Sequence, residues 1–112
     1  MVPVQRYRSM WEFYPFYLSQ HLNRACRTLH FVGTLIVIST ILFSAATRQW
    51  VPLLTLPLSG YGFAWVGHFA FEKNRPATFE YPIYSLLSDF IMFGQLVTGR
   101  LGFDRTPPEM LP

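Results

Sequence analysis

Three long apolar runs dominate the sequence and limit the folds that the chain can adopt. They cover residues 31–47, 50–71 and 81–99. The first run contains no charged residue, the second has His68 as its only ionisable group besides tyrosine, and the third contains Asp89 near its middle. Each run meets or approaches the roughly 20 residues that a helix needs to cross a bilayer. Because none shows regular two-residue alternation, the runs predict helices rather than strands.

The composition favours lipid as the environment of these helices. Hydrophobic residues make up 51% of the 112 residues and charged residues 13%, about half the usual charged share. A soluble domain of this size cannot bury so much apolar surface. The net charge of +3 suits an anionic membrane surface or an anionic substrate. The basic residues are scattered and do not form a nucleic-acid-binding stripe, so we expect membrane lipids and no nucleic acid among the partners.

The sequence therefore predicts one all-α domain over residues 1–112. It is a small helical membrane protein with an interfacial N-terminal helix, a transmembrane hairpin and a third apolar helix. Pro57 and Gly60 predict a kink or break in the second span. The predicted segments are an interfacial helix at 10–24, spans at 29–48 and 51–72, a spanning or partly embedded helix at 81–99, and a flexible tail at 104–112.

Basic residues predict the orientation of the hairpin. Arg48 alone lies in the loop after the first span, whereas Lys73 and Arg75 follow the second span. The positive-inside tendency places the N-terminus and residues 72–80 in the cytoplasm. We expect a bacterial inner membrane, with the endoplasmic reticulum membrane as the alternative, and a homo-oligomer stays open. The basic residues before the first span are Arg6, Arg8, Arg24 and Arg27.

The three histidines of the chain are predicted to meet at the cytoplasmic end of the hairpin. His30 lies 18 residues before Arg48, and His68 lies 16 residues after Pro52. At 1.5 Å per residue these separations correspond to roughly 27 and 24 Å, so both imidazoles return to a similar depth. His21 belongs to the N-terminal segment at the same boundary. Glu72 lies one turn beyond His68 on a shared helix face.

A group of imidazoles with a carboxylate is typical of an iron, zinc or manganese site. We therefore predict that His21, His30, His68 and Glu72 bind a metal ion. Other readings stay open from the residues alone. His21 could be a solvated interfacial residue, His30 could bond a backbone group at a helix start, and Glu72 could pair with a neighbouring cation.

Asp89 and two asparagines are candidates for orienting the ligands. A carboxylate inside an apolar segment usually faces a bundle interior or a water-filled cavity. Asp89 could complete the metal shell, orient a histidine ligand or cap a helix, and the orienting or structural role is favoured. Asn23 and Asn74 lie next to the histidine segments and could play similar orienting roles.

Four segments together resemble a family of small membrane proteins. They are FYPFYLSQH, NRACRTLHFVGT, GYGFAWVGHFAFEKNRPATF and YSLLSDFIMF, which lie between Phe13 and Phe93. Over this range the chain is similar to the family of the fungal 2-hydroxy-palmitic acid dioxygenase, which converts phytosphingosine-derived acids into odd-numbered fatty acids. The resemblance implies a helical membrane protein that binds Fe(II) through histidines and removes one carbon from 2-hydroxy fatty acids with O2. The motif histidines and glutamate correspond to His21, His30, His68 and Glu72.

The implied chemistry gives a role to the basic residues near the predicted site. A 2-hydroxy acid can chelate through its carboxylate and hydroxyl, and its tail would lie between apolar helices. Arg24, Arg27, Lys73 and Arg75 could draw in the carboxylate, or they could reach towards lipid phosphates instead. Two alternatives remain: another metal-dependent lipid-modifying enzyme, such as a zinc enzyme, and a non-catalytic membrane protein whose histidines bind metal structurally.

Overall fold

The computed structural model describes residues 7–112, and these residues form helices and no strands. The all-α prediction is therefore confirmed for this part of the chain. Arg6, one of the basic residues before the first span, lies outside the described residues. The α-helices are α1 (Met10–Ser19), α2 (Arg24–Thr47), α3 (Phe63–Val66) and α4 (Pro82–Thr98), and short 3₁₀ helices occur at Ala77–Phe79 and Pro108–Met110.

The helix α2 begins earlier than the predicted first span because a side chain caps it. The Asn23 Oδ1 accepts hydrogen bonds from the backbone N–H groups of Ala25 and Cys26, at 2.8 and 3.3 Å. Such a cap satisfies N–H groups that have no partner inside the helix. At the other end, Arg48 adopts a left-handed conformation with φ of 56°, which ends the helix.

Residues 51–72 form one continuous but irregular helix, which we call the irregular helix. Its geometry changes along its length, as Pro57 and Gly60 predict. Proline lacks the N–H group that a regular helix needs at an interior position. The irregular helix contains a 3₁₀ segment at Val51–Thr55, a π-helical segment at Leu58–Gly62, α3, and a second π-helical segment at Gly67–Glu72.

Two glycines allow α2 and the irregular helix to pack closely as an antiparallel pair. A Cβ atom added to Gly33 would lie 2.8 Å from the Ser59 carbonyl oxygen, and one added to Gly67 would lie 3.1 Å from the Cys26 Cα and Sγ atoms. Any larger residue at these positions would push the two helices apart. The Gly67 contact matters most for the site, because Cys26 precedes His30 by one turn and Gly67 adjoins His68.

The helix α1 packs against α4 through an aromatic core. Phe13, Tyr17 and Leu18 of α1 are fully buried, and Met92 and Leu96 of α4 lie against them. Trp11, by contrast, is 69% exposed. The N-terminal helix therefore presents one side to the other helices, and this packing fixes the position of the segment that follows it.

The C-terminal segment differs from the extended, weakly ordered tail that the sequence predicts. Met110 and Leu111 pack against the aromatic core. The Arg27 side chain, fully buried, donates hydrogen bonds to the carbonyl oxygens of Gly102 and Arg105, at 2.7 and 3.2 Å, and to the Thr106 hydroxyl. The prolines predict an extended chain with few contacts. The buried Arg27 guanidinium instead forms specific hydrogen bonds with this segment.

Within residues 7–112, α2 is the one helix whose length and composition would let it cross a membrane. Its 24 residues correspond to roughly 36 Å, which exceeds the hydrocarbon thickness of a typical bilayer. The irregular helix is divided into shorter segments, and α4 has 17 residues.

Candidate metal centre

The three histidines lie against one another in the interior of the protein. His21, His30 and His68 are 1%, 4% and 2% exposed. The Nε2 atom of His21 lies 3.1 Å from that of His30 and 2.8 Å from that of His68. The three rings are close to mutually perpendicular, with interplanar angles of 80° to 88°. One end of the helical hairpin therefore presents three imidazole nitrogens to a common point.

The opposite nitrogen of each ring has its own hydrogen-bond acceptor. His21 Nδ1 lies 2.5 Å from the Tyr17 carbonyl oxygen, His30 Nδ1 lies 2.8 Å from the Cys26 carbonyl oxygen, and His68 Nδ1 lies 2.7 Å from Asn74 Oδ1. A carbonyl oxygen can only accept, so each Nδ1 carries the proton and donates it. In the neutral ring the Nε2 atom is then an unprotonated acceptor.

Three unprotonated Nε2 atoms that face one another repel unless a cation lies among them. Burial, followed by the neighbouring His30 and His68, lowers the pKa of His21 well below its usual range. The proton is thus a poor candidate for that cation. A metal ion fits better: two nitrogens bound at 2.0–2.1 Å and at right angles lie about 3 Å apart, close to the observed separations. The donor set therefore fits a metal ion.

A small cavity of about 10 Å³ adjoins the three histidines. Such a volume is comparable to the space that one water molecule needs. Ser85 and Asp89, one turn apart on α4, line it together with Thr78. The Ser85 hydroxyl is buried and has no hydrogen-bond partner among residues 7–112. An unpartnered buried hydroxyl beside a ligand cavity fits an occupant that offers it a polar atom.

Asp89 is joined to the histidines through Tyr17. The Tyr17 hydroxyl donates a hydrogen bond to Asp89 Oδ1, and the Tyr17 ring stacks on His21 with centroids 3.9 Å apart. Burial, followed by the Asp89 charge, raises the pKa of Tyr17 well above its usual value, so this hydroxyl stays protonated and donates. Asp89 thus lies beside the site and contacts it through the Tyr17 hydroxyl.

The structure does not bring Glu72 into the group of converging nitrogens. Among the described residues, the atoms within reach of one ion belong to His21, His30 and His68. The Glu72 carboxylate accepts a hydrogen bond from the backbone N–H of Asn23, which precedes α2. A carboxylate is favourable there because the N-terminus of a helix carries partial positive charge. In this structure Glu72 therefore lies outside the set of atoms that could bind one ion.

The four basic residues named for the substrate carboxylate have different environments. Arg24 and Lys73 are exposed, and the Arg75 guanidinium lies 4.8 Å from the centroid of the Phe79 ring. Arg27 is buried, and its Nε donates a hydrogen bond to the His21 carbonyl oxygen at 2.5 Å. The donors of Arg27 thus serve backbone and hydroxyl acceptors within the protein.

The two asparagines also have different contacts. Asn23 caps α2, as described above. Asn74 accepts from His68 and donates through Nδ2 to the backbone oxygen and Oε1 of Gln20, at 3.1 and 3.2 Å. Lys73 adopts a left-handed conformation with φ of 60°, which turns the chain so that Asn74 reaches back to His68. The predicted orienting role therefore has a geometric basis for Asn74.

A family model described as 2-hydroxy-palmitic acid dioxygenase Mpo1-like matches residues 7–101. The chain belongs to this family. Comparison with curated proteins and with solved structures finds no match for the chain. The Mpo1-like match covers α1, α2, the irregular helix and α4, and with them all three histidines. It agrees with the resemblance seen in the sequence segments that contain these residues.

Several residues at this Mpo1-like centre are not evident from the sequence. Ser85 and Thr78 are ordinary polar residues in their segments, and only the packing of α4 and of the 3₁₀ helix Ala77–Phe79 brings them to the cavity. Tyr17 lies in the predicted interfacial helix, and the structure stacks its ring on His21. The four-residue spacing between Tyr17 and His21 is the signal available in the sequence.

Replacement of Asn74 by alanine is expected to weaken metal binding by about 10- to 100-fold, the usual cost of losing an orienting partner of a ligand. The variant would leave His68 Nδ1 without its acceptor, so the ring could rotate or change tautomer. Competition with a chromogenic chelator measures the affinity. Asn23→Ala is the matched control, because it removes a helix cap worth about 1 kcal/mol and leaves the histidine contacts intact. Equal affinities in both variants would contradict the orienting role.

Proposed function

We propose that the protein is a membrane-embedded Fe(II)-dependent dioxygenase that removes one carbon from 2-hydroxy fatty acids. The observation that carries the proposal is the convergence of three buried Nε2 atoms whose Nδ1–H groups are all engaged elsewhere. Membership of the Mpo1-like family supports the substrate class and the type of reaction. The proposed ligands are His21, His30 and His68.

The protein contributes positions, orientation and exclusion of water. A ferrous ion, when bound, supplies open coordination positions at which a 2-hydroxy acid and O2 can come together. Tyr17, Cys26 and Asn74 hold the ligand rings in one tautomer. Ser85 offers a hydroxyl to the occupant of the cavity. Conversion of the hydroxy acid and O2 into the shortened acid, CO2 and water balances without a further reductant.

The apolar surface supports a membrane location. Large hydrophobic side chains stay exposed along α2, the irregular helix and α4, and exposed apolar surface on this scale marks contact with lipid or a partner. Leu42 is 64% exposed, Leu54 80% and Ile83 65%. We assign these faces to lipid, with the N-terminus and residues 72–80 on the cytoplasmic side of a bacterial inner membrane.

The test is metal analysis of protein purified without oxygen, followed by mass spectrometry after addition of Fe(II), air and 2-hydroxy-palmitate. Near-stoichiometric iron and a fatty acid one carbon shorter are expected. Substitution of Zn²⁺ for Fe(II) should abolish O2 consumption. Turnover with zinc would indicate another class of lipid-modifying enzyme, and metal binding without turnover of any hydroxy acid would indicate a structural metal site.

A further inference from the structure

An apolar groove runs along the protein beside the metal centre. Its volume is about 410 Å³, and it lies among α2, the irregular helix and α4. Val37 of α2 and Gly60 of the irregular helix lie opposite each other, because a Cβ atom added to Gly60 would lie 3.8 Å from Val37 Cγ2. The apolar lining residues are Val37, Ile41, Leu56, Pro57, Leu86 and Phe90.

The groove and the histidine cavity share one residue. Asp89 lines both of them, so the two spaces adjoin at this carboxylate. Thr34 also lines the groove and lies one turn after His30 on α2. The groove therefore begins beside the metal centre and extends away from it along α2.

The distance from the histidines to the far end of the groove matches the depth of one leaflet of a bilayer. From His30 to Ile41 is 11 residues along α2, or roughly 16 Å. Half of a bilayer hydrocarbon core is about 15 Å, which is the depth occupied by the acyl chain of a single lipid. The space is thus long enough for a long-chain fatty acyl tail whose head lies at the histidines.

We propose that this groove binds the acyl tail of the hydroxy acid substrate and that Val37, Gly60 and Ile41 determine the chain length accepted. The inference rests on the proposed function and adds the tail site and its specificity residues. Val37 and Gly60 face each other about midway along the groove, and Ile41 lies one turn further from the histidines. A bulky side chain at either level would close the groove at that depth.

Three variants test the order of these positions. Val37→Phe and Gly60→Leu lie on different helices but block the groove at the same depth. Each should lower turnover of 2-hydroxy-palmitate and 2-hydroxy-laurate at least about tenfold relative to 2-hydroxy-octanoate. Ile41→Phe should reduce turnover of 2-hydroxy-palmitate alone, because it blocks the groove about 6 Å further along α2. Gly62→Leu is the matched control. It introduces the same change in the same π-helical segment, outside the groove lining, and should keep the wild-type profile.

A second measurement tests binding of the tail in the groove without requiring catalysis. A 2-hydroxy-palmitate with a photoreactive group at the end of its tail should label peptides that contain Ile41 and Leu56, without any turnover. Wild-type turnover with unchanged profiles in all variants, or labelling spread over the outer faces, would overturn the groove assignment and leave ordinary membrane lipid as its occupant. Labelling at the groove with no iron and no product would overturn the proposed reaction instead.

Discussion

Replacement of His68 by alanine is expected to abolish turnover and to lower metal affinity by more than about 100-fold. Loss of an orienting group alone costs 10- to 100-fold, and this variant removes one of three converging nitrogens. Stability offers a second readout. A metal in about 1,000-fold excess over its dissociation constant stabilises a protein by about 4 kcal/mol. Thermal unfolding in detergent should therefore shift with added Fe(II) in the wild-type protein, and the same Fe(II) concentration should stabilise the variant by no more than about 1.4 kcal/mol.

The apo forms allow a further distinction. Because removal of His68 relieves repulsion among three Nε2 atoms, the metal-free variant should unfold near the temperature of the metal-free wild type. A purely structural histidine cluster would instead lose stability with or without metal. Such a loss, with iron content retained, would contradict the metal centre.

Glu72→Gln is the matched control for the histidine variant. Its side chain has the same length and remains beside Asn23, but it has no charge. Since the Glu72 carboxylate bonds the Asn23 backbone and lies outside the histidine group, the variant should retain iron and turnover. A loss of iron comparable to that in His68→Ala would show that Glu72 moves to the metal when the ion binds, as the family motif implies.

The main elements of the fold could be predicted from residue type and run length. The hairpin follows from two apolar runs separated by a short loop, and the structure has α2 followed by the irregular helix. The arithmetic of that hairpin placed His30 and His68 at one depth, and they lie together. The sequence could not predict how closely the two helices pack, because this distance depends on Gly33 and Gly67 and on the atoms opposite each of them.

The partners of the site residues were harder to predict, because long-range packing decides them. Glu72 shares a helix face with His68 in a regular α-helix, but Gly67–Glu72 is π-helical and Lys73 ends it. The histidine thus points to the interior while the carboxylate bonds the start of α2. The sequence likewise does not show which of Asn23 and Asn74 contacts a histidine, because the turn at Lys73 that brings Asn74 to His68 is evident only in the folded chain.

Replacement of Arg27 by methionine is expected to cost about 1–3 kcal/mol of unfolding free energy, the usual penalty when a buried acceptor is left without its donor. The variant would keep much of the side-chain volume but remove the Arg27 donor from the carbonyls of His21 and Gly102, whereas the Arg105 carbonyl would keep the Gly102 N–H as a donor. Unmade buried hydrogen bonds are costly because water cannot replace the donor. Denaturant unfolding in detergent measures the loss, and hydrogen exchange should show faster opening of residues 102–106.

Arg24→Met is the control for this substitution, since Arg24 lies one turn earlier on the same helix and is exposed. It should change stability by less than about 0.5 kcal/mol. The comparison also tests the carboxylate-binding role that the sequence suggested for both arginines. If Arg27 binds the substrate carboxylate, Arg27→Met should raise KM for 2-hydroxy-palmitate without changing stability. If Arg27 instead joins the C-terminal segment to the His21 backbone, Arg27→Met should lower the free energy of unfolding. Its iron affinity should also fall, because the His21 carbonyl loses a hydrogen bond that helps to position this residue.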